Sequence, residues 1–153
     1  QGFTLVELLV YIGLTAIVMV VATDFAVSVS QNSARSKITQ ELQQNARLAL
    51  DRLTQEVRGA TAIDTVNSDF VSPKGKLVLT TATGTRTFAV RMSDDALTLD
   101  GEPLNSAKVK VTTFNVDYAA PTVTISLTLQ DTLSNPPQSI TISTSLTPHR
   151  SLY

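Results

Sequence analysis

The sequence predicts an α+β chain in which one long N-terminal helix packs against an antiparallel β-sheet. Three observations predict it. An apolar run opens the chain, from Gly2 to Ala22 and on to about Val29. A stripe of apolar residues at helical spacing follows, from Ile38 to Ala60. After Ala60 the apolar residues recur at every second position, which is the period of a half-buried strand.

The opening run is about the length of a bilayer span, since a hydrocarbon core of roughly 30 Å needs ~20 apolar residues at 1.5 Å rise each. Gly13 is its one weak point, at a cost of roughly 1 kcal/mol against Ala. Asp24 falls near the far end, where it can reach interfacial water, and reads as a boundary marker. Ser28, Ser30, Asn32 and Ser33 are expected to fray or bend the helix, because short polar side chains compete for backbone hydrogen bonds.

The helix then resumes. Ile38, Leu42, Ala46, Ala49, Leu53, Val57 and Ala60 recur at spacings of three and four. Arg35, Gln43, Gln44, Arg47, Asp51, Gln55 and Arg58 lie mostly off that stripe, and Gly59 is a stop signal. The two halves together predict a single rod of nearly 60 residues, roughly 85 Å long.

Strands come next. Lys76–Thr81 and Thr85–Arg91 alternate around Gly84 as a hairpin, and Ala96–Leu99 ends at the turn pair Asp100-Gly101. Lys108–Tyr118 alternates with a shift of register at Thr112–Phe114, the mark of a β-bulge. Thr122–Gln130 and Ser139–Thr147 alternate as well, joined by a Pro-marked loop from Asp131 to Gln138. The expected core is Phe88, Val90, Leu97, Phe114, Val116, Ile125, Leu127, Ile140 and Ile142, on the helix side of a sheet solvated on its other face.

Composition narrows the function classes. Net charge is −1, too balanced for a nucleic-acid surface. Cys is absent, which removes disulfides, thiolate metal sites and a Cys nucleophile together. Trp is absent and aromatics are few, which argues against a stacking surface for sugars or bases. His149 is the single histidine, beside Pro148 near a terminus, with no partner in sequence for a metal pair or relay. Six glycines are scattered singly, so no phosphate-cradling loop exists. Asp94, Asp95, Asp100 and Glu102 are acidic turn residues without the ligand spacing of a calcium loop, and are read as solvated turns with calcium as the alternative. Lys74, Lys76, Lys108 and Lys110 form at most a small basic patch, of the kind that protects sheet edges. No catalytic residue, metal ligand or cofactor is expected, and the chain does not read as an enzyme.

The residue that needs explaining is Glu7. An acid inside an apolar span costs at least ~2.5 kcal/mol unless paired, so it marks a functional site. Its surroundings, Gly2, Phe3, Thr4, Leu5, Val6 and Glu7, resemble the type IV prepilin signature, which the type II secretion pseudopilins share. The resemblance implies a peptidase cut between Gly2 and Phe3, N-methylation of Phe3, and a basic leader of which residues 1–2 are the remnant. Cleavage would create an α-ammonium at Phe3, and the Glu7 carboxylate of the same or a neighbouring subunit is its natural counter-charge. Glycine before the bond leaves room for a protease to approach the backbone. Gln44 to Ala60 also resembles the corresponding helix of W-type minor pilins and J-type minor pseudopilins, with Arg47, Asp51-Arg52-Leu53 and Arg58-Gly59-Ala60 carrying the likeness. Two departures stand out: the helix lacks the Pro that many pilins carry near its middle, and the chain lacks the C-terminal disulfide loop common among them.

The resemblance implies a pilin-like fold divided as follows: residues 3–29 as the transmembrane and filament-core helix, 30–62 as its amphipathic half, and 63–153 as the β domain. It implies a structural subunit of a type IV pilus-like filament, a minor pilin or minor pseudopilin. The alternatives are a filament-tip adhesin or DNA-uptake subunit, or a type II secretion pseudopilin. Expected partners are other pilin or pseudopilin subunits, prepilin peptidase, and membrane lipid before assembly; nucleic acid is not expected. The expected location is the inner or cytoplasmic membrane, single-pass, with the β domain outside the cytoplasm and a surface or periplasmic filament after assembly.

Overall fold

The computed structural model describes residues 4–148. Helix α1 runs Leu5–Gly59. It passes through Ser28, Ser30, Asn32 and Ser33 without a break, so the expected fraying does not occur there. Further up the same helix the Thr15 and Thr23 hydroxyls donate to the carbonyls of Tyr11 and Met19, four residues back. The helix stops at Gly59, as expected.

Eight strands follow: β1 (Ala62–Ile63), β2 (Lys76–Thr81), β3 (Gly84–Arg91), β4 (Ala96–Leu99), β5 (Glu102–Pro103), β6 (Val109–Ala119), β7 (Thr122–Asp131) and β8 (Ser139–Leu146). All the pairings between them are antiparallel. The architecture is therefore one long helix packed against antiparallel sheet, pilin-like in its α+β order. The strands divide between two sheets, one of five in the order β1 to β5 and one of three, β6-β7-β8. The division was not legible in the alternation, and neither were the two-residue strands β1 and β5.

Turn chemistry sets the register. Leu99 faces Glu102 across the two-residue turn Asp100-Gly101, and both turn residues have positive φ, at 53° and 91°. That is the twist a tight hairpin needs, and Gly supplies it without strain. The β6–β7 register shifts between Val111 and Thr113, which leaves Thr112 as the bulge. The sheets are joined where the chain before β2 crosses β6. There the Phe114 N–H donates to the Pro73 carbonyl and the Gly75 N–H to the Phe114 carbonyl, both at 2.8 Å. A Cβ at Gly75 would lie 2.6 Å from the Asp69 carbonyl oxygen, so only glycine fits this crossing. A second tie runs from the Val111 N–H to the Asp95 carbonyl at 2.7 Å.

The core lies between the second half of α1 and the inward faces of both sheets. Leu42, Ala46, Ala49, Leu53 and Val57 are buried on the helix and Ala60 just beyond its end, and Ile38 packs at the edge of the cluster. Phe88, Val90, Leu97, Phe114, Val116, Ile125 and Leu127 are buried as expected. Ile140 and Ile142 are only half-buried, because β8 is the last strand of its sheet and nothing flanks its outer side among the described residues. The expected Pro-marked loop begins at Asp131, the last residue of β7. That aspartate is buried, and its carboxylate organises the loop by accepting the N–H groups of Leu133, Ser134 and Gln138 and the Ser134 hydroxyl. Burial pushes this carboxyl up, but those hydrogen bonds together outweigh it and hold it below the usual range.

Candidate assembly site

The functional residues expected from the sequence gather at the start of α1. Thr4 precedes the helix and its hydroxyl accepts the Glu7 N–H at 3.4 Å, while its carbonyl accepts the Leu8 N–H at 3.3 Å. Thr4 is therefore the N-cap and Glu7 the third helical residue, the Thr-x-x-Glu spacing of a capping box. The sequence carried this signal, overlaid on the motif that drew attention to Glu7. The placement puts the Glu7 carboxylate in the first turn, where the unpaired N–H groups favour negative charge. Gly2 and Phe3, the expected cleavage and methylation positions, lie outside the described residues, as does His149.

Beyond Glu7 the helix offers nothing to neutralise the acid. No Lys or Arg occurs before Arg35, 28 residues further on. At 1.5 Å per residue that is about 42 Å, far beyond side-chain reach. Every residue from Leu5 to Lys37 is exposed, Leu9, Ile17, Met19 and Phe25 among them. The segment contains a stretch long and apolar enough to cross a membrane. An apolar surface on all sides of a helix belongs in lipid or among other helices, not in water.

The other half of α1 carries a polar contact that periodicity did not reveal. Asn45, beside the apolar stripe, is 8% exposed. Its amide donates to the Glu41 carbonyl and its oxygen accepts the Ser106 N–H, both at 2.8 Å, so it ties the helix to the loop after β5. On the same helix Glu56 pairs with Arg52 at 3.1 Å and with Arg86 of β3 at 3.8 Å; Arg86 in turn reaches Asp100 at 2.7 Å.

Three of the four acidic turn residues, Asp94, Asp95 and Asp100, pair with cations of this chain. Asp94 binds Arg91, which holds its carboxyl down at about 2. Asp95 binds Lys74 and, at 3.8 Å, Lys110; the hydrogen bond from Lys74 keeps its carboxyl below the usual value. Asp100 is held low by Arg86 and by the Thr87 N–H. Using these carboxylates for calcium would break those pairs. The same contacts spend Lys74 and Lys110, two of the four lysines in the small basic patch.

Fold and site together define a class: a chain whose helix opens with an apolar stretch exposed on all sides and long enough to cross a membrane, followed by a mixed α+β domain. The comparisons sharpen that. A family model of the prokaryotic N-terminal methylation motif matches residues 1–23, which supports the type IV pilin/pseudopilin superfamily. No curated protein and no solved structure matches the chain. The motif, with the apolar helix that carries it, supports a membrane-anchored chain.

Proposed function

We propose that the chain is a minor subunit, a minor pilin or minor pseudopilin, of a type IV pilus-like filament. In this reading prepilin peptidase cuts between Gly2 and Phe3, and Phe3 is N-methylated. Residues 3–29 span the inner or cytoplasmic membrane and then pack in the filament core. Residues 30–62 continue the helix, and residues 63–153 form a β domain outside the cytoplasm. The observation that carries the reading is Glu7: an acid in the first turn of an apolar helix, with no Lys or Arg in the sequence before Arg35.

Its partner is the Phe3 α-ammonium of an adjoining subunit, and this pair sets the register between subunits. Neither charge has water to turn to in hydrocarbon, so removing one costs on the order of 3–5 kcal/mol. Glu7→Val and Glu7→Gln chains are expected to insert in the membrane normally and to fall in sheared filaments by about 100-fold or more, as 3 kcal/mol implies. Quantitative immunoblots of membrane and filament fractions measure both quantities. Undiminished incorporation of either variant would sink the pairing. Mass spectrometry of the mature N-terminus tests the processing step, which predicts a chain beginning at methylated Phe3. The share of the chain in sheared filaments tests its minor status: a trace component is expected.

A further inference from the structure

The charges of α1 follow an order that the fold of a single chain leaves largely unused. Its cations are Arg35, Lys37, Arg47, Arg52 and Arg58, and its acids Glu7, Asp24, Glu41, Asp51 and Glu56. Three of the cations stand four residues before an acid: Lys37 before Glu41, Arg47 before Asp51 and Arg52 before Glu56. No acid stands three or four residues before a cation. Within one helix the acid-first order is the better one, so helix stability does not call for this arrangement. Among the described residues Arg52 and Glu56 join at 3.1 Å, with Arg86 sharing the acid, whereas Lys37, Glu41, Arg47 and Asp51 take part in no ion pair.

Those four residues share one side of the helix. At about 100° per residue they span about 120°, roughly opposite the buried stripe of Leu42, Ala46, Ala49, Leu53 and Val57. Lys37, Arg47 and Asp51 are exposed and Glu41 is half-buried.

Two such helices lying parallel and shifted by four residues, about 6 Å, set Lys37 level with Glu41 and Arg47 level with Asp51. At that shift no like charges meet along α1. Unshifted, every charge meets its own kind. A shift of two sets Arg35 against Lys37, a shift of five sets Arg47 against Arg52 and Asp51 against Glu56, and a shift of six sets Arg52 against Arg58. Shifts of one, three and seven bring together at most one opposite pair. Four is therefore the shift, within two turns of helix, at which this face complements itself.

We infer that a second copy of this chain docks lengthwise on this face, parallel and shifted by four residues, with Lys37 and Arg47 of one copy against Glu41 and Asp51 of the next. Parallel order follows from the apolar stretches of the two copies, which share one membrane. The acids sit about 40° round the helix from the cations, so the contact joins two different faces; a heterologous contact of this kind repeats without closing and builds an open helical array. The occupant is read from the charges of α1. The inference deepens the filament reading and rests on it for the place where copies meet: pairing Phe3 of one subunit with Glu7 of another calls for the same shift of four. It adds that copies of a minor subunit enter the filament side by side, in runs.

The chain has no Cys, so single introduced cysteines report the contact without background. Full-length Arg47→Cys and Asp51→Cys chains are expressed together, membranes and sheared filaments are oxidised, and disulfide-linked dimers are measured. A disulfide needs Cβ atoms within about 4.5 Å, so the mixed dimer is expected about tenfold above two controls. One is Arg47→Cys with Gln55→Cys, a further four residues out of register; the other is Arg47→Cys with Glu41→Cys, which an antiparallel pair brings together. Lys37→Glu with Arg47→Glu sets like charges face to face and is expected to cut incorporation about tenfold without changing monomer stability. Adding Glu41→Lys and Asp51→Lys restores the complementarity and is expected to restore incorporation. Filaments that contain the chain but give equal yields for the three cysteine pairs overturn the inference and leave the filament reading standing. So does a fourfold variant that incorporates no better than the twofold one. A mixed dimer in membranes, with the wild-type chain absent from filaments, supports the docking and overturns the filament reading.

Discussion

The two halves of α1 use apolar residues in opposite ways. From Leu5 to Lys37 every residue is exposed, and from Ile38 to Gly59 a single stripe is buried under the sheets while the opposite face stays polar. Periodicity makes the difference. A helix that is apolar all round has no preferred side, so its partners must surround it and come from outside the chain: lipid first, other helices later. A striped helix finds its partner within its own domain. Hydrophobicity alone thus says that a segment will be covered, and its angular distribution says by what.

The sharpest way to break that comparison is to truncate one leucine from each half. Leu53 is fully buried, and Leu53→Ala is expected to destabilise the β domain by about 3 kcal/mol through lost burial and the cavity left behind. Leu9 is 61% exposed, and Leu9→Ala is expected to change monomer stability by less than about 0.5 kcal/mol. Urea unfolding of the detergent-held monomers measures both. A comparable loss in the two variants would mean that the first half of α1 is packed within its own chain, and the contrast would fail.

The same contrast explains what was legible in the sequence. The helix, its stop at Gly59, the strands β2 to β4 and β6 to β8 and the bulge at Thr112 all follow from local rules: a period of 3.6 or 2, a glycine, a turn pair, a slip in alternation. Glu7 was legible because an acid breaks an otherwise apolar run. Features that depend on distant partners were not. The join between the two sheets rests on bonds from Phe114 to Pro73 and Gly75, roughly 40 residues away in sequence. Ile140 and Ile142 alternate like core residues, yet they are half-buried because β8 is the last strand of its sheet among the described residues. Asp131 looks like any turn acid until the loop closes around it.

Asn45 belongs with these, and it gives a smaller test. A polar residue beside the stripe reads as surface, but Asn45 is buried because the Ser106 N–H needs an acceptor there. Asn45→Ala leaves that donor unpaired and is expected to cost roughly 2 kcal/mol; Asn45→Asp keeps the acceptor but removes the amide that donates to Glu41. In the helix's first half, Asn32→Ala replaces an exposed polar residue and is expected to stay within about 0.5 kcal/mol of wild type. If Asn45→Ala behaves like Asn32→Ala, the polar tie between helix and loop contributes nothing and the second half holds its domain by its apolar stripe alone.

The smallest expected effect is one of pH, and it too separates the regions. Carboxyls held low by hydrogen bonds and cations include Asp64, Asp69, Asp94, Asp95, Asp100 and Asp131, all beyond residue 60. A depressed carboxyl stays ionised in the folded chain after its unfolded counterpart has taken a proton. As pH falls the unfolded state therefore binds protons first, and the stabilisation is lost. For Asp94 that loss runs from the ordinary aspartate value of 3.8 down to about 2. The unfolding midpoint of the β domain is expected to hold steady above pH 4 and to decline between pH 4 and 2. Asp94→Asn removes the ion pair with Arg91, so the variant should melt slightly below wild type at pH 5. The gap should close by pH 2, where the wild-type carboxyl is itself protonating. Thermal melts of both chains across that range decide the sign: a gap that widens as pH falls would mean that the Asp94 carboxylate does not stabilise the fold through Arg91.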